Sequence, residues 1–173
     1  MRRMGGMIII GVDPGYAITG FGILEYINNK FSVLQYGVIS TKSTMPFEKR
    51  LLAISDGLDS LFQQYKPDSM AIEELFFSRN TTTAIGTAQA RGVAVLCGAK
   101  SGINVYEYTP LQVKLAVTGF GRADKNQVQQ MVKILLNQKE IVKPDDAADA
   151  LAVAICHAHT GIRTSYRTRG GYQ

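Results

Sequence analysis

Acidic residues stand in three apolar stretches where simple solvation does not explain a charge. Asp13 closes the run MIIIGVD. Glu73 and Glu74 interrupt SMAIEELFF. Asp146 and Asp149 open DDAADALAVAI. Three residues apart, the last two share one face of any helix formed there. If the strands ending at Asp13 and Glu73 are neighbours, and that helix packs across them, the carboxylates converge. Carboxylates gathered in a half-buried cleft repel one another, and each is costly to leave unpaired. A hard divalent cation removes the cost, because Mg²⁺ takes oxygen ligands and keeps several waters. Two such ions held among four carboxylates would activate a water and stabilise the leaving oxygen in phosphodiester cleavage.

Each residue also has a plainer reading. Asp13-Pro14-Gly15 is ordinary turn chemistry, and taken alone that reading is preferred for Asp13. Only one of Glu73 and Glu74 shares a given face of a strand, and pattern leaves the choice open. Asp145, Asp146 and Asp149 all suit a helix N-terminus, with Asp145 the expected cap. The alanines among them would let the helix pack close beneath a site. Cys156-His157-Ala158-His159 suggests zinc at first sight. Adjacent helical residues point about 100° apart, so packing is the expected role. His157 stays a candidate near the site, one or two helical turns beyond Asp149.

The elements that must position these groups follow from periodicity. Residues 7–13 form a continuous apolar strand, as in the middle of a sheet. Strands over 19–26 and 31–40 flank Asn28-Asn29, which tolerates positive φ, so they predict an antiparallel hairpin. Phe47, Leu51, Ile54, Leu58, Leu61, Phe62 and Tyr65 recur at three- and four-residue steps in an amphipathic helix that Lys66-Pro67-Asp68 stops. A fourth strand is predicted over 69–77. A helix from Asn80 to about Gly98 follows, with Gly86, Ala90 and Ala94 on a small-residue face. Residues 103–108 predict a fifth strand, and Thr109-Pro110 caps and begins a short helix. Gly119-Phe120-Gly121 breaks it. Asp124 caps the next helix, and a last one runs from about Asp145 to His159. The fold class is therefore α/β, a mixed sheet with helices on both faces.

The chain of 173 residues, 46% hydrophobic and 19% charged, fits a globular protein of one domain spanning 1–160. No apolar run reaches the roughly 18 residues of a membrane span. The apolar stretch after MRRMGG is too short for a signal peptide, and two isolated cysteines, Cys97 and Cys156, suit a reducing cytoplasm. Residues 1–6 read as an N-terminal extension. The tail 161–173, with Arg163, Arg167 and Arg169, is basic, lacks periodicity and is expected to be disordered.

GVDPG, AIEELFF and DDAADALAVAI, in this order and spacing, resemble the RuvC family of Holliday-junction resolvases. GTAQARGV (86–93), YTPLQVKLAVTGFGRADKNQVQQMV (108–132) and CHAH (156–159) agree, so the resemblance covers residues 7 to 160. It implies an RNase H-like fold with a five-stranded sheet. It also implies a homodimer and Mg²⁺-dependent, symmetric cutting of four-way DNA junctions in recombination and repair, two ions per site, with Mn²⁺ able to substitute. RuvA and RuvB, the junction-binding and branch-migration proteins, are the partners it implies. Carried over by position, the catalytic and metal-holding carboxylates are Asp13, Glu73, Asp146 and Asp149, which selects Glu73 over Glu74. Phe76 matches an aromatic that stacks on a base, and Lys114 and Lys125 match basic positions facing the DNA backbone.

The net charge of +5 takes a different meaning in that light. With four carboxylates occupied by metal, ten acidic residues remain against nineteen basic ones, an effective excess of nine. Arg79, Arg91, Lys100, Lys114, Arg122 and Lys125 become candidates for phosphate contacts, which position DNA without reading its sequence. Two rival readings share parts of this pattern: an RNase H-like nuclease of the rRNA-processing type, and an actin-like or sugar-kinase-like ATPase. The latter needs a second domain, for which the chain is short.

Overall fold

The computed structural model describes residues 6–75 and 81–161. Phe76, Arg79, the Asn80 cap and the tail arginines lie outside them. The order is β1 (Met7–Asp13), β2 (Ile18–Ile27), β3 (Lys30–Ser40), α1 (Phe47–Tyr65), β4 (Ser69–Glu73), α2 (Thr81–Lys100), β5 (Asn104–Tyr108), α3 (Pro110–Thr118), α4 (Lys125–Leu135) and α5 (Asp145–Gly161). The strands form one sheet in the order β3-β2-β1-β4-β5. β1 pairs antiparallel with β2 and parallel with β4, and β5 is parallel to β4.

Strand alternation splits the core into two layers. Ile8, Ile10, Val12, Met70 and Ile72 face α1 and α2, meeting Ile54, Leu58, Phe62, Ala90 and Ala94. Ile9 and Ala71 face the other way, toward α3, α4 and α5. The small-residue face of α2 thus serves its own sheet: Ala90 and Ala94 are buried, and Gly86 lies against Tyr16. Ile85 and Leu96 of the same helix remain exposed.

Local chemistry fixed most boundaries. Asn28 and Asn29 adopt φ of 49° and 61° in the β2–β3 turn, and Lys66 ends α1 at φ 48°. Thr109 with Gln112, and Asp124 with Gln127, form complete capping boxes at the starts of α3 and α4. Two expectations are corrected. β4 ends at Glu73, with Glu74 and Leu75 already outside the strand, although Glu74 N–H still donates to the Tyr108 carbonyl at 2.8 Å. Asp145 lies inside the first turn of α5, and its carboxylate accepts from Lys143 Nζ at 2.6 Å instead of serving as the cap. Among the described residues no helix is long and apolar enough to cross a membrane.

Candidate active site

The site forms where the C-terminal ends of β1 and β4 meet the N-terminus of α5. Asp13 is the last residue of β1 and Glu73 the last of β4. Asp13 has the parity of Ile9, and Glu73 that of Ala71, so both fall on the α5 face of the sheet. Asp146 and Asp149 sit in the first turns of that helix. All four are half-buried, while Glu74 is exposed.

α5 reaches the strand ends because glycines pave its track. Gly11 pairs with Gly22, and Asp13 with Gly20, across β1 and β2. A Cβ on Gly11 would lie 2.0 Å from the Ala150 carbonyl oxygen, and one on Gly20 would lie 2.1 Å from that of Asp146. Any side chain at either position would lift the helix and carry its aspartates away from Asp13. Ala147, Ala150 and Ala154 are the helix's matching small side, fully buried. The alanines of α5 were legible as a close-packing face. Their glycine counterparts were not read from the sequence, although Gly20-Phe21-Gly22 carries the signal at a spacing of two.

The carboxylates are close enough to disturb one another's ionisation. Burial, then the charges of Asp149, Glu73 and Asp146, push Asp13 up to about 7, against some relief from Lys125. Glu73 is raised by burial and by Asp149, with Lys114 and Lys125 pulling the other way. Asp149 is raised chiefly by burial, opposed by Lys125. Asp13, Glu73 and Asp149, three acids that resist ionising together, form a donor set short of positive charge.

Part of that charge comes from the protein. Lys125 Nζ lies 3.2 Å from Asp149 Oδ2 and 3.3 Å from Asp145 Oδ2. Burial works against its charge, but hydrogen bonds to Asp149 and Asp145 outweigh it and raise the ammonium's pKa. Asp145 is drawn down to about 2, first by the hydrogen bond from Lys143. Lys125, itself exposed, therefore bridges two acids at the solvent edge of the cluster. Among the described residues no group of three His, Cys, Asp or Glu side chains is arranged to hold an ion as it stands. The donor set still suits a hard cation: oxygen ligands only, half-buried, with unmet negative charge.

The other expected residues divide. Lys114 is half-buried on α3, near enough for its charge to act on Glu73, and Arg122 is exposed in the α3–α4 turn. Arg91 is half-buried and paired with Glu107 of β5. Lys100 ends α2 beside the start of β5, at the opposite end of the parallel strands from Glu73, and faces Asp59 at 3.9 Å. His157 is buried, its Nδ1 2.6 Å from the Tyr108 hydroxyl and its ring 4.4 Å from that of Tyr106. Burial lowers its pKa to about 4, so it is a neutral packing residue. His159 turns elsewhere, toward Tyr26 and Phe31, which separates the two rings and leaves no zinc pair.

The sequence matches the family described as "Crossover junction endodeoxyribonuclease RuvC" over residues 9–157. Similar proteins of that description include one from Alkaliphilus metalliredigens, 61% identical over 90% of this chain and 94% of its own length. Another, from Clostridioides difficile, is 56% identical over 95% of this chain and 98% of its own. Among solved structures, Thermus thermophilus RuvC in complex with a Holliday junction substrate is 33% identical, with a TM-score of 0.86 over 90% of this chain and 94% of that one. The yeast mitochondrial Holliday junction resolvase, 12% identical at a TM-score of 0.63, shares the fold.

Proposed function

This chain belongs to the RuvC family of crossover junction endodeoxyribonucleases, and on that premise we propose that it resolves four-way DNA junctions by paired symmetric cuts during recombination and repair. The observation that carries the reading is the convergence of Asp13, Glu73, Asp146 and Asp149 from two strand ends and one helix. Its members are metal-dependent nucleases with an RNase H-like α/β fold. The rRNA-processing alternative shares that fold but not the family match over most of the chain.

The four carboxylates would hold Mg²⁺, two ions per site, with Mn²⁺ able to substitute. When bound, the metal acidifies the attacking water and offsets charge on the phosphate and the leaving 3′-oxygen. Every other part of the reaction falls to the protein. Asp13 must give up a proton that it retains to about neutral pH, which couples metal entry to proton release. Lys125 must share Asp149 with the incoming charge. Lys114 and Arg122 hold the phosphate backbone, Phe76 is assigned to DNA by resemblance and Arg79 by its charge, and products carry 5′-phosphate and 3′-hydroxyl ends.

A junction is two-fold symmetric, so two copies of a single-domain subunit (residues 1–160) would place one site on each exchanging strand. RuvA and RuvB would deliver the junction, in the cytoplasm, where free Cys97 and Cys156 stay reduced. The deciding experiment is cleavage of a synthetic four-way junction with Mg²⁺. Asp13→Asn and Asp149→Asn should each lower the rate on the order of 10²-fold or more while binding survives. Variants that cut at the normal rate would remove these carboxylates from the mechanism.

A further inference from the structure

The geometry points to Phe120 as a platform for an unstacked nucleobase of the strand being cut, a second aromatic contact beside the one assigned to Phe76. Phe120 is 54% exposed, and Leu111 and Leu115, at 56% and 48%, continue its apolar surface. Gly121 sits against both leucines: a Cβ there would lie 2.6 Å from Leu111 Cδ1 and 3.4 Å from Leu115 Cγ. Three exposed apolar side chains around one turn make the kind of patch that marks an interaction site.

The ring stands on a fixed turn. Thr118 Oγ1 accepts from Phe120 N–H at 3.0 Å and donates to the Lys114 carbonyl at 2.7 Å. Gly119, at φ 73°, closes α3 and donates to the Leu115 carbonyl at 2.9 Å. Holding the backbone this way reduces the entropy lost when a ligand stacks on the side chain.

Charge selects the occupant. Lys114 stands one helical turn before Thr118, Arg122 follows Phe120 by two residues, and Lys125 already reaches Asp149 at 3.2 Å. The acid of the turn, Asp124, is engaged in capping α4 through Gln127 N–H at 2.9 Å. An apolar face between cations matches a nucleic-acid strand, whose phosphates meet the lysine and arginine while a base covers the ring. Lys114 acts on Glu73 and Lys125 on Asp149, so the platform borders the carboxylate cleft.

The inference rests on the nuclease reading above, and one experiment separates the two. Junctions carrying 2-aminopurine next to the cut site are titrated, with metal chelated, with wild type, Phe120→Ala and Phe120→Tyr, each checked for an unchanged melting temperature. Phe120→Ala should bind the junction about tenfold more weakly and lose the fluorescence change, while Phe120→Tyr restores both. A Phe120→Ala variant that binds like wild type with the full fluorescence change overturns the platform and leaves the patch to a protein surface. If wild type itself does not bind junctions in chelator and does not cut them once Mg²⁺ is restored, the nuclease reading is what fails.

Discussion

Asp13, proposed above to hold metal, shows how a half-buried carboxylate weighs on the fold. In an unfolded chain it ionises near 3.8, and in the folded protein at about 7. Between those values the folded state holds the proton more tightly, so stability is lost as pH rises through the window and levels off above it. Asp13→Asn removes that loss. In chelator, the variant should melt about 5 °C above wild type near pH 8, the gap closing toward pH 4. Equal melting temperatures across that range would mean that the acids in the cleft do not oppose folding. His157 works in the other direction, since its folded pKa of about 4 lies below the unfolded 6.5. Its contribution is present above about 6.5 and fades as pH falls toward 4, and because both proteins carry His157 it cancels from their difference.

At the scale of elements, the α5–sheet seam is the feature most sensitive to change. Gly11→Ala would set a Cβ 2.0 Å from the Ala150 carbonyl oxygen and 2.9 Å from the Ala154 nitrogen. The expected cost is about 1–3 kcal/mol in urea unfolding. Cleavage should fall further than that loss explains, because a displaced α5 moves Asp146 and Asp149 together. Gly92→Ala in α2, where a Cβ meets nothing within 4 Å, should be neutral or stabilising by up to about 1 kcal/mol. Equal effects at the two positions would refute the seam.

Elements of this kind were legible where their cause is local. The Asn28-Asn29 turn, the Thr109 and Asp124 caps and the Lys66 stop are each written in a few adjacent residues. The three acidic stretches were legible as candidates, and the family resemblance singled out Glu73, which pattern could not. Strand order, the glycine seam and the engagement of Arg91 by Glu107 were not legible, because each depends on partners distant in sequence. Lys125 was expected to face DNA. Its reach to Asp149 depends on how α4 lies against α5, which periodicity does not specify.

For the whole molecule, binding should be governed by few cations despite a net charge of +5. A plot of log binding constant against log salt should lose about one unit of slope in each of Lys114→Ala and Arg122→Ala. Arg91→Ala should leave that slope unchanged, because its partner is Glu107. A slope altered equally by all three would return Arg91 to the DNA.

The carboxylates also lie at opposite ends of the chain: Asp13 in the first strand, Asp146 and Asp149 in the last helix. A nascent polypeptide that has not yet reached α5 holds two of the four acids and an uncovered row of glycines. Cleavage competence is therefore expected to arrive late in synthesis, and fragments ending before α5 are expected not to cut DNA.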